Sequence, residues 1–235
     1  IGANGVELAP ELQAHNITMS PDVQPAVYYY GFNMRDPVVG GYTEKKRKLR
    51  RALQIAFQTE DYLNIFYMGN GIVAENPIPP GIPGHLEGEA GMNPYVYDWV
   101  DGVARRKSVE YARQLLAEAG YPNGRDEITG EPLKIFLDVQ SQAINNTLMT
   151  WIVRVFSQIG VQVEFRPADF NRTREKMLTG NTQIFSFGWS ADYPDPENFL
   201  FLQIDASPDK NQPEAMSGTR VSMSPTHTRF SNLIQ

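Results

Sequence analysis

Apolar and polar residues alternate along two short stretches in the middle of the chain, and a helical pattern lies between them. Every second residue is apolar from 133 to 139, which is typical of a strand with one buried face. Apolar residues then recur at intervals near 3.6 from 144 to 159, and Gly160 follows as a helix stop. Alternation returns over 161–165. Strand, helix and strand within about 35 residues predict a βαβ unit with two parallel strands.

Further elements are predicted on both sides of this unit. The stretch 26–33 is rich in tyrosine and phenylalanine and predicts a strand, and the apolar stretch 184–189 predicts another. Amphipathic helices are indicated where an N-cap residue precedes apolar positions at helical spacing. These helices are expected over 5–15, after the caps Thr43, Thr59, Ser108 and Asp169, and over 197–202.

Two stretches predict irregular structure. Residues 76–94 are dense in proline and glycine, and a loop of this length inside a compact domain is often functional. The lone His85 in this loop is expected to be a surface residue, because one imidazole does not make a metal site. Beyond Ser207, prolines and glycines interrupt any period.

Composition excludes several classes of protein. The chain has 235 residues and a net charge of −6, and this acidic balance argues against nucleic acid as the main partner. It has no cysteine, so neither a disulfide framework nor a thiolate zinc site can form. No apolar stretch approaches the roughly 20 residues that a membrane-spanning helix needs. The sequence begins at Ile1, and no signal peptide is visible.

Candidate chemistry is concentrated where the 184–189 strand opens into a proline-rich turn. In α/β sheets, ligands bind beyond the carboxyl ends of strands. Trp189 offers a flat apolar surface with one N–H, and Asp192 offers a negative charge three residues later. This pair suits a ligand that carries an amine and an apolar body. The alternative is that Trp189 belongs to the core and Asp192 only begins a turn.

Signals for catalysis are weak. The three histidines lie in no motif, and neither G-x-S-x-G nor a phosphate-binding loop is present. Asp192, Asp195 and Glu197 could supply a carboxylate pair for glycoside cleavage or ligands for a hard cation. Since many acidic loops meet that condition, a carboxylate-dependent hydrolase remains only the alternative function.

Three stretches together resemble one protein family. Residues 188–200 resemble the GW-x-x-D-x-x-D-P-x-N-F-L segment of the solute-binding proteins, family 5, that serve oligopeptide, dipeptide and nickel ABC importers. Residues 32–34 followed by 48–53 are similar to the FN and VRxAL signature of that family. Residues 111–122 are similar to its A-x-x-L-L-A-E-A-G-Y-P helix end, and the order of all three fits.

The resemblance implies an α/β fold, a periplasmic-binding-protein-like (type II) lobe with a mixed, mostly parallel sheet flanked by helices. It implies that the chain corresponds to the second lobe of a two-lobe protein, without most of the first. Residues 1–25 would lead in from the hinge, 26–206 would form the ligand-binding lobe, and 207–235 would be an irregular, truncated segment. Within that segment, residues 229–234 are similar to the start of a family helix.

The function that the resemblance implies is binding, not catalysis. A peptide or a related amine-bearing solute would be held between two lobes and delivered to an ABC permease in the membrane. No cofactor, metal or nucleic acid is expected, and the protein would be a monomer in the periplasm or a lipid-anchored extracytoplasmic protein. The basic stretch 45–51 is expected to face solvent, and a docking patch for the transporter is the alternative.

The family motif also assigns site residues. Asp192 matches the aspartate that holds the ligand's α-amino group, and Trp189 matches an aromatic residue that lines the pocket. Phe170 matches an aromatic pocket wall, although a helix-core role is the alternative. Some relatives carry an arginine where this chain has Met177 or Ser186, so no carboxylate clamp is expected there. The expected ligand-binding residues are Phe170, Trp189, Ser190, Ala191, Tyr193 and Asp192.

Overall fold

The computed structural model describes residues 10–15, 23–200 and 232–234. This part of the chain contains eight α-helices and two short 3₁₀ turns at Pro122–Gly124 and Ser141–Ala143. The helices are α1 (Pro10–Ala14), α2 (Glu44–Ala56), α3 (Thr59–Tyr67), α4 (Gly88–Gly91), α5 (Val109–Glu118), α6 (Asn146–Ser157), α7 (Phe170–Thr179) and α8 (Glu197–Leu200).

Six strands form one mixed sheet, and two more form a separate hairpin. The strands are β1 (Ala26–Phe32), β2 (Ile72–Ala74), β3 (Tyr97–Val100), β4 (Val103–Arg106), β5 (Lys134–Gln140), β6 (Gln162–Ala168), β7 (Ile184–Ser190) and β8 (Asn232–Ile234). The sheet order is β2-β8-β1-β7-β5-β6, and β3 pairs with β4. Four of the six sheet strands, β5, β6, β7 and β8, run in the same direction. The predicted mixed α/β fold is confirmed.

The predicted βαβ unit is present as β5, α6 and β6. The two strands pair in parallel from Lys134 opposite Gln162 to Gln140 opposite Ala168. The helix begins after Asn145, whose side chain accepts a hydrogen bond from the backbone N–H of Leu148. The predicted N-caps Thr43, Ser108 and Asp169 are also observed, each accepting a backbone N–H in the first turn of its helix. The prediction for Thr59 is wrong by one residue, because Gln58 occupies the cap position.

Alternate residues of β1 enter two separate cores. Tyr30 and Phe32 pack with α2, α5 and α6 on one face of the sheet. Val27 and Tyr29 point to the other face, where Phe199 of α8 completes a smaller core. Burial on both faces explains why β1 is apolar at nearly every position.

Short strands account for most of the missed elements. Neither β2 nor the β3–β4 hairpin was predicted, because three or four residues carry too little periodicity. The expectation of a helix start over 229–234 is wrong for residues 232–234, which form β8. Their backbone lies between β1 and β2, so ladder hydrogen bonds on both sides favour the extended conformation. The remainder of the predicted irregular segment 207–235 lies outside the described residues.

The basic stretch of α2 is not simply a solvent-facing surface. Arg50 is fully buried, and its Nη1 donates hydrogen bonds to the carbonyls of Val39 at 2.7 Å and Gly41 at 2.8 Å. Burial lowers the pKa of the guanidinium to about 10. Lys46 donates to the carbonyls of Pro37 and Val38. The expectation that this stretch faces water is therefore wrong for Arg50, because the neighbouring loop supplies carbonyl acceptors inside the fold.

A polar cluster fixes the β3–β4 hairpin to the start of α3. Arg106 donates from Nε to the Glu60 carboxylate at 2.7 Å and from Nη1 to the Gln54 carbonyl at 3.0 Å. The Tyr97 hydroxyl donates to the same carboxylate at 2.6 Å. Burial on its own would raise the pKa of the Glu60 carboxyl, but Arg106 and Tyr97 together hold the pKa below its ordinary value.

Replacing Arg106 with glutamine should lower the free energy of unfolding by about 1–2 kcal/mol at pH 7, since Glu60 remains partly exposed and water compensates in part. Because the pKa of the Glu60 carboxyl is lower in the folded than in the unfolded state, the ionised carboxylate stabilises the fold at pH values above the unfolded-state pKa. That contribution to the free energy of unfolding is lost as the pH falls through the folded-state pKa. The difference in free energy of unfolding between wild type and Arg106→Gln, measured by urea unfolding, should therefore become smaller below about pH 4. Arg105→Gln, which affects an exposed pair with Asp101, should change stability little. A difference that stays constant from neutral to acid pH would contradict this account.

Candidate functional site

Strand β7 emerges from the core as it approaches its carboxyl end. Phe185 is fully buried, whereas Phe187 and Trp189, on the same face of the strand, are only partly buried. Strand β5 pairs with β7 only as far as Asp138 opposite Phe185, so β5 and β6 end near the level of Phe187. The last residues of β7 pair with β1 alone. The carboxyl ends of three parallel strands therefore meet at one edge, with aromatic side chains beside it.

Phe170 extends this aromatic surface from the next element. It is the first residue of α7, directly after the cap Asp169, whose carboxylate accepts the Arg172 backbone N–H at 2.8 Å. Its ring stacks on Phe187 with centroids 6.0 Å apart and an interplanar angle of 24°. Because Phe170 is 48% exposed, the alternative that it is a helix-core residue is wrong.

The indole N–H of Trp189 is already used inside the protein. Nε1 donates to Oδ1 of Asn198 at 2.7 Å, and Asn198 is buried. The interpretation that this N–H is offered to a ligand is therefore wrong. The indole ring packs partly against the smaller core and remains partly exposed. What Trp189 can offer at this edge is the apolar surface of its ring.

Asn198 is a functional candidate that sequence reasoning missed. Its Oδ1 accepts from Trp189 and, at 3.4 Å, from the backbone N–H of Asp192. Asp195 supports the same turn, since its carboxylate accepts the Glu197 backbone N–H at 2.8 Å. The sequence does contain a signal for this residue, because an asparagine follows the two prolines of the turn. Its role could not be read, because the bond depends on how α8 folds back towards β7.

The carboxylate of Asp192 is available at this edge. Asp192 is exposed and forms no ion pair with any residue that the structure describes. The turn that carries it is anchored, because the Ala191 backbone N–H donates to the Pro25 carbonyl at 2.8 Å. Ser190 and Tyr193 on either side are exposed. Hence the residues predicted from 189 to 193 lie together at the end of β7 and in the turn that follows it, and Phe170 joins them through Phe187.

Tyr28 is a second residue that sequence reasoning missed. It lies opposite Gly188 in the β1–β7 ladder and is 40% exposed. A Cβ atom at Gly188 would lie 2.6 Å from the Tyr28 ring, so the glycine allows the ring to lie across the strand. Tyr28 points to the face of the sheet opposite Trp189, which places aromatic rings on both sides of this edge.

Other candidates fall outside this constellation. Met177 packs into the smaller core and Ser186 is partly buried, so neither position supplies a cation. His85 is partly exposed, and its Nδ1 lies 2.7 Å from the Ile78 carbonyl oxygen. Within residues 10–15 and 23–200, no group of three or more acidic or histidine side chains could hold a metal ion. No helix in the described part of the chain is long and apolar enough to cross a membrane.

Comparison with known proteins identifies the family of this chain. The family model for bacterial extracellular solute-binding proteins, family 5 Middle, matches residues 3–211. The chain belongs to this family. The fold of this chain is also similar to that of OppA from Burkholderia pseudomallei, with a TM-score of 0.63 at 22% identity over 80% of this chain and 34% of that chain.

Curated relatives of this chain have names that describe binding. Heme-binding protein A of Haemophilus influenzae is 33% identical over 166 residues, which is 68% of this chain and 26% of the relative. The dipeptide-binding protein of Escherichia coli is 25% identical over 155 residues, which is 65% of this chain and 26% of the relative. The chain thus spans about a quarter of the length of these relatives.

Proposed function

We propose that this protein is the substrate-binding component of an ABC importer, and that it binds peptides or a related amine-bearing solute. The observation that carries the proposal is the exposed Asp192 carboxylate on an anchored turn beside the ring of Trp189. Family membership and the names of the curated relatives support binding as the activity.

The chemistry of the edge fits a ligand with a free amino group. An ammonium placed against Asp192 would form a charge-assisted hydrogen bond, which gains strength when water is excluded. The stacked rings of Phe170 and Phe187 and the ring of Trp189 would contact apolar side chains. Main-chain hydrogen bonds would supply affinity that depends little on the side chains of the ligand.

Water would be excluded by a second lobe. Hinge closure of two lobes over an extended ligand would bury the ammonium–carboxylate pair and complete the pocket. In this proposal residues 1–25 lead in from the hinge, 26–206 form the ligand-binding lobe, and 207–235 belong to a further segment. The closed protein would act outside the cytoplasm, as a monomer, and deliver its solute to the permease.

Hydrolysis is the alternative with less support. Asp192, Asp195 and Glu197 lie close together in sequence, but Asp195 is engaged in holding the first turn of α8. The curated relatives named above are all binding proteins. Binding is therefore the better account of the same acidic turn.

Calorimetry with a dipeptide and its N-acetylated form would test the proposal in the longest form of the protein that contains this chain. Acetylation removes the positive charge, so it should weaken binding by about 100-fold, whereas amidation of the carboxyl end should matter less. Equal affinity for both forms would overturn the assignment of Asp192. The 235-residue chain by itself should bind weakly, and micromolar binding by it would overturn the two-lobe site.

A further inference from the structure

Two asparagine–glycine pairs lie in turns of the part of the chain that the structure describes. Asn70-Gly71 follows α3 and leads into β2, whereas Asn123-Gly124 follows α5 and precedes β5. Both asparagine side chains are exposed. Such pairs favour turns, because both residue types tolerate unusual backbone angles. They also favour a reaction of asparagine with its own backbone, since glycine has no side chain to shield its backbone nitrogen.

This reaction is deamidation through a succinimide. The glycine backbone nitrogen loses its proton and attacks Cγ of the asparagine, and ammonia leaves as the new C–N bond closes a five-membered ring. Water then opens the ring at one of its two carbonyls. The products are aspartate and isoaspartate, and in isoaspartate the backbone runs through the former side chain. The nitrogen reaches Cγ only if the backbone of the asparagine can rotate about ψ.

The fold opposes this rotation at Asn123. The Gly124 backbone N–H donates to the Tyr121 carbonyl at 3.0 Å, and the Gly124 carbonyl accepts from the Leu133 N–H at 2.7 Å. Gly124 is buried, and it packs so closely against Gly160 that an added Cβ atom would lie 2.1 Å from the Gly160 oxygen. The attacking nitrogen is therefore held in place, and the ring can close only after the turn has opened.

The turn at Asn70 is exposed and loosely packed. The Gly71 N–H donates to the Gly69 carbonyl at 3.0 Å, which closes a three-residue turn that can open without moving another element. Met68 and Ile72 on either side are 59% and 45% exposed. A Cβ atom added at Gly69 would meet its nearest neighbour at 3.7 Å, an ordinary contact. The backbone here has the space that rotation about ψ of Asn70 requires.

We propose that Asn70 is a site of spontaneous deamidation in the folded protein, and that the fold protects Asn123 from the same reaction. The two sites differ in packing, since each asparagine is exposed and each is followed by glycine. Isoaspartate at position 70 would lengthen the backbone just before β2, the short strand at the edge of the sheet. The inference does not rest on the function proposed above, because residues 68–72 are not part of the Trp189–Asp192 edge.

Mass spectrometry of the 235-residue chain, incubated at mildly alkaline pH and then digested with trypsin, would measure both rates. Trypsin separates the sites, because Asn70 lies in the peptide 52–105 and Asn123 in the peptide 114–125. Fragmentation locates the residue at which an amide has become a carboxyl group. In the folded protein, Asn70 should deamidate at least about tenfold faster than Asn123. In concentrated urea, where both turns are open, the two rates should become similar.

Two variants make the outcome specific. Asn70→Gln should abolish the reaction at position 70, because glutamine would have to close a less favourable six-membered ring. Gly160→Ala forces apart the two turns that meet at Gly124, so it should raise the rate at Asn123 and leave the rate at Asn70 unchanged. Equal rates at the two sites in the folded protein, faster reaction at Asn123, or the same ratio of rates in buffer and in urea would each overturn the proposal.

Discussion

Replacing Gly160 with alanine should lower the free energy of unfolding by about 3 kcal/mol. Gly160 has a φ of +77°, in the left-handed region, where an added Cβ atom is strained. That Cβ would also lie 2.4 Å from the Asn123 carbonyl oxygen. The contact is reciprocal, since a Cβ at Gly124 would lie 2.1 Å from the Gly160 oxygen. Two turns therefore pack backbone to backbone, one before β5 and one before β6, and neither can yield without displacing a strand.

Gly130→Ala is the matched control for this effect. Gly130 has a φ of +73°, but a Cβ there would meet nothing within 4 Å. Gly130→Ala should therefore lower the free energy of unfolding only by the backbone strain, about 1 kcal/mol. Urea unfolding of the two variants would separate strain from steric contact. Equal losses for both would show that the contact between the turns of Gly124 and Gly160 can relax at no cost.

The sequence predicted the elements whose stability is local. The alternation of β5 and β6, the apolar stripe of α6 and the caps Ser108 and Asp169 are set by neighbours within a few residues. Such patterns fix an element before any tertiary contact is known. The turn after β7 was likewise predicted to within one residue, because it follows directly from the end of an apolar strand.

Features that depend on distant partners were missed. Strand β2 has three residues and pairs with β8, at the far end of the described chain. Arg50 stands in a row of charged residues, and only the fold brings the Val39 and Gly41 carbonyls to its guanidinium. Sequence patterns contain no information on such acceptors, so a buried arginine and a solvent-facing one look alike along a helix.

The candidate site shows the same division. Asp192 and Trp189 were identified from the turn that carries them, but their different roles come from Asn198. The buried amide occupies the indole N–H and braces the turn, whereas the carboxylate stays exposed. An exposed carboxylate with a braced backbone is suited to bind an external cation, because no internal partner must be displaced first.

Asp192→Asn should weaken binding of a peptide with a free amino end by about 100-fold in the longest form of the protein. Asparagine keeps the size of the side chain, and the backbone bond of residue 192 to Asn198 does not depend on the carboxylate. The free energy of unfolding should therefore stay within about 0.5 kcal/mol of wild type. Calorimetry gives the affinity and urea unfolding gives the stability. A hydrolase would instead retain its ligand and lose turnover.

Glu197→Gln removes the same charge from the same loop and serves as the control. Glu197 is exposed, and only its backbone N–H takes part in the turn. If net negative charge near the edge were enough to attract the ligand, both variants would lose affinity to a similar, salt-dependent degree. If the Asp192 carboxylate binds the ammonium directly, only Asp192→Asn should lose affinity for the peptide. N-acetylated peptides should then bind wild type and Asp192→Asn equally well. Loss in both variants, or in neither, would contradict a specific pair between Asp192 and the ligand's amine.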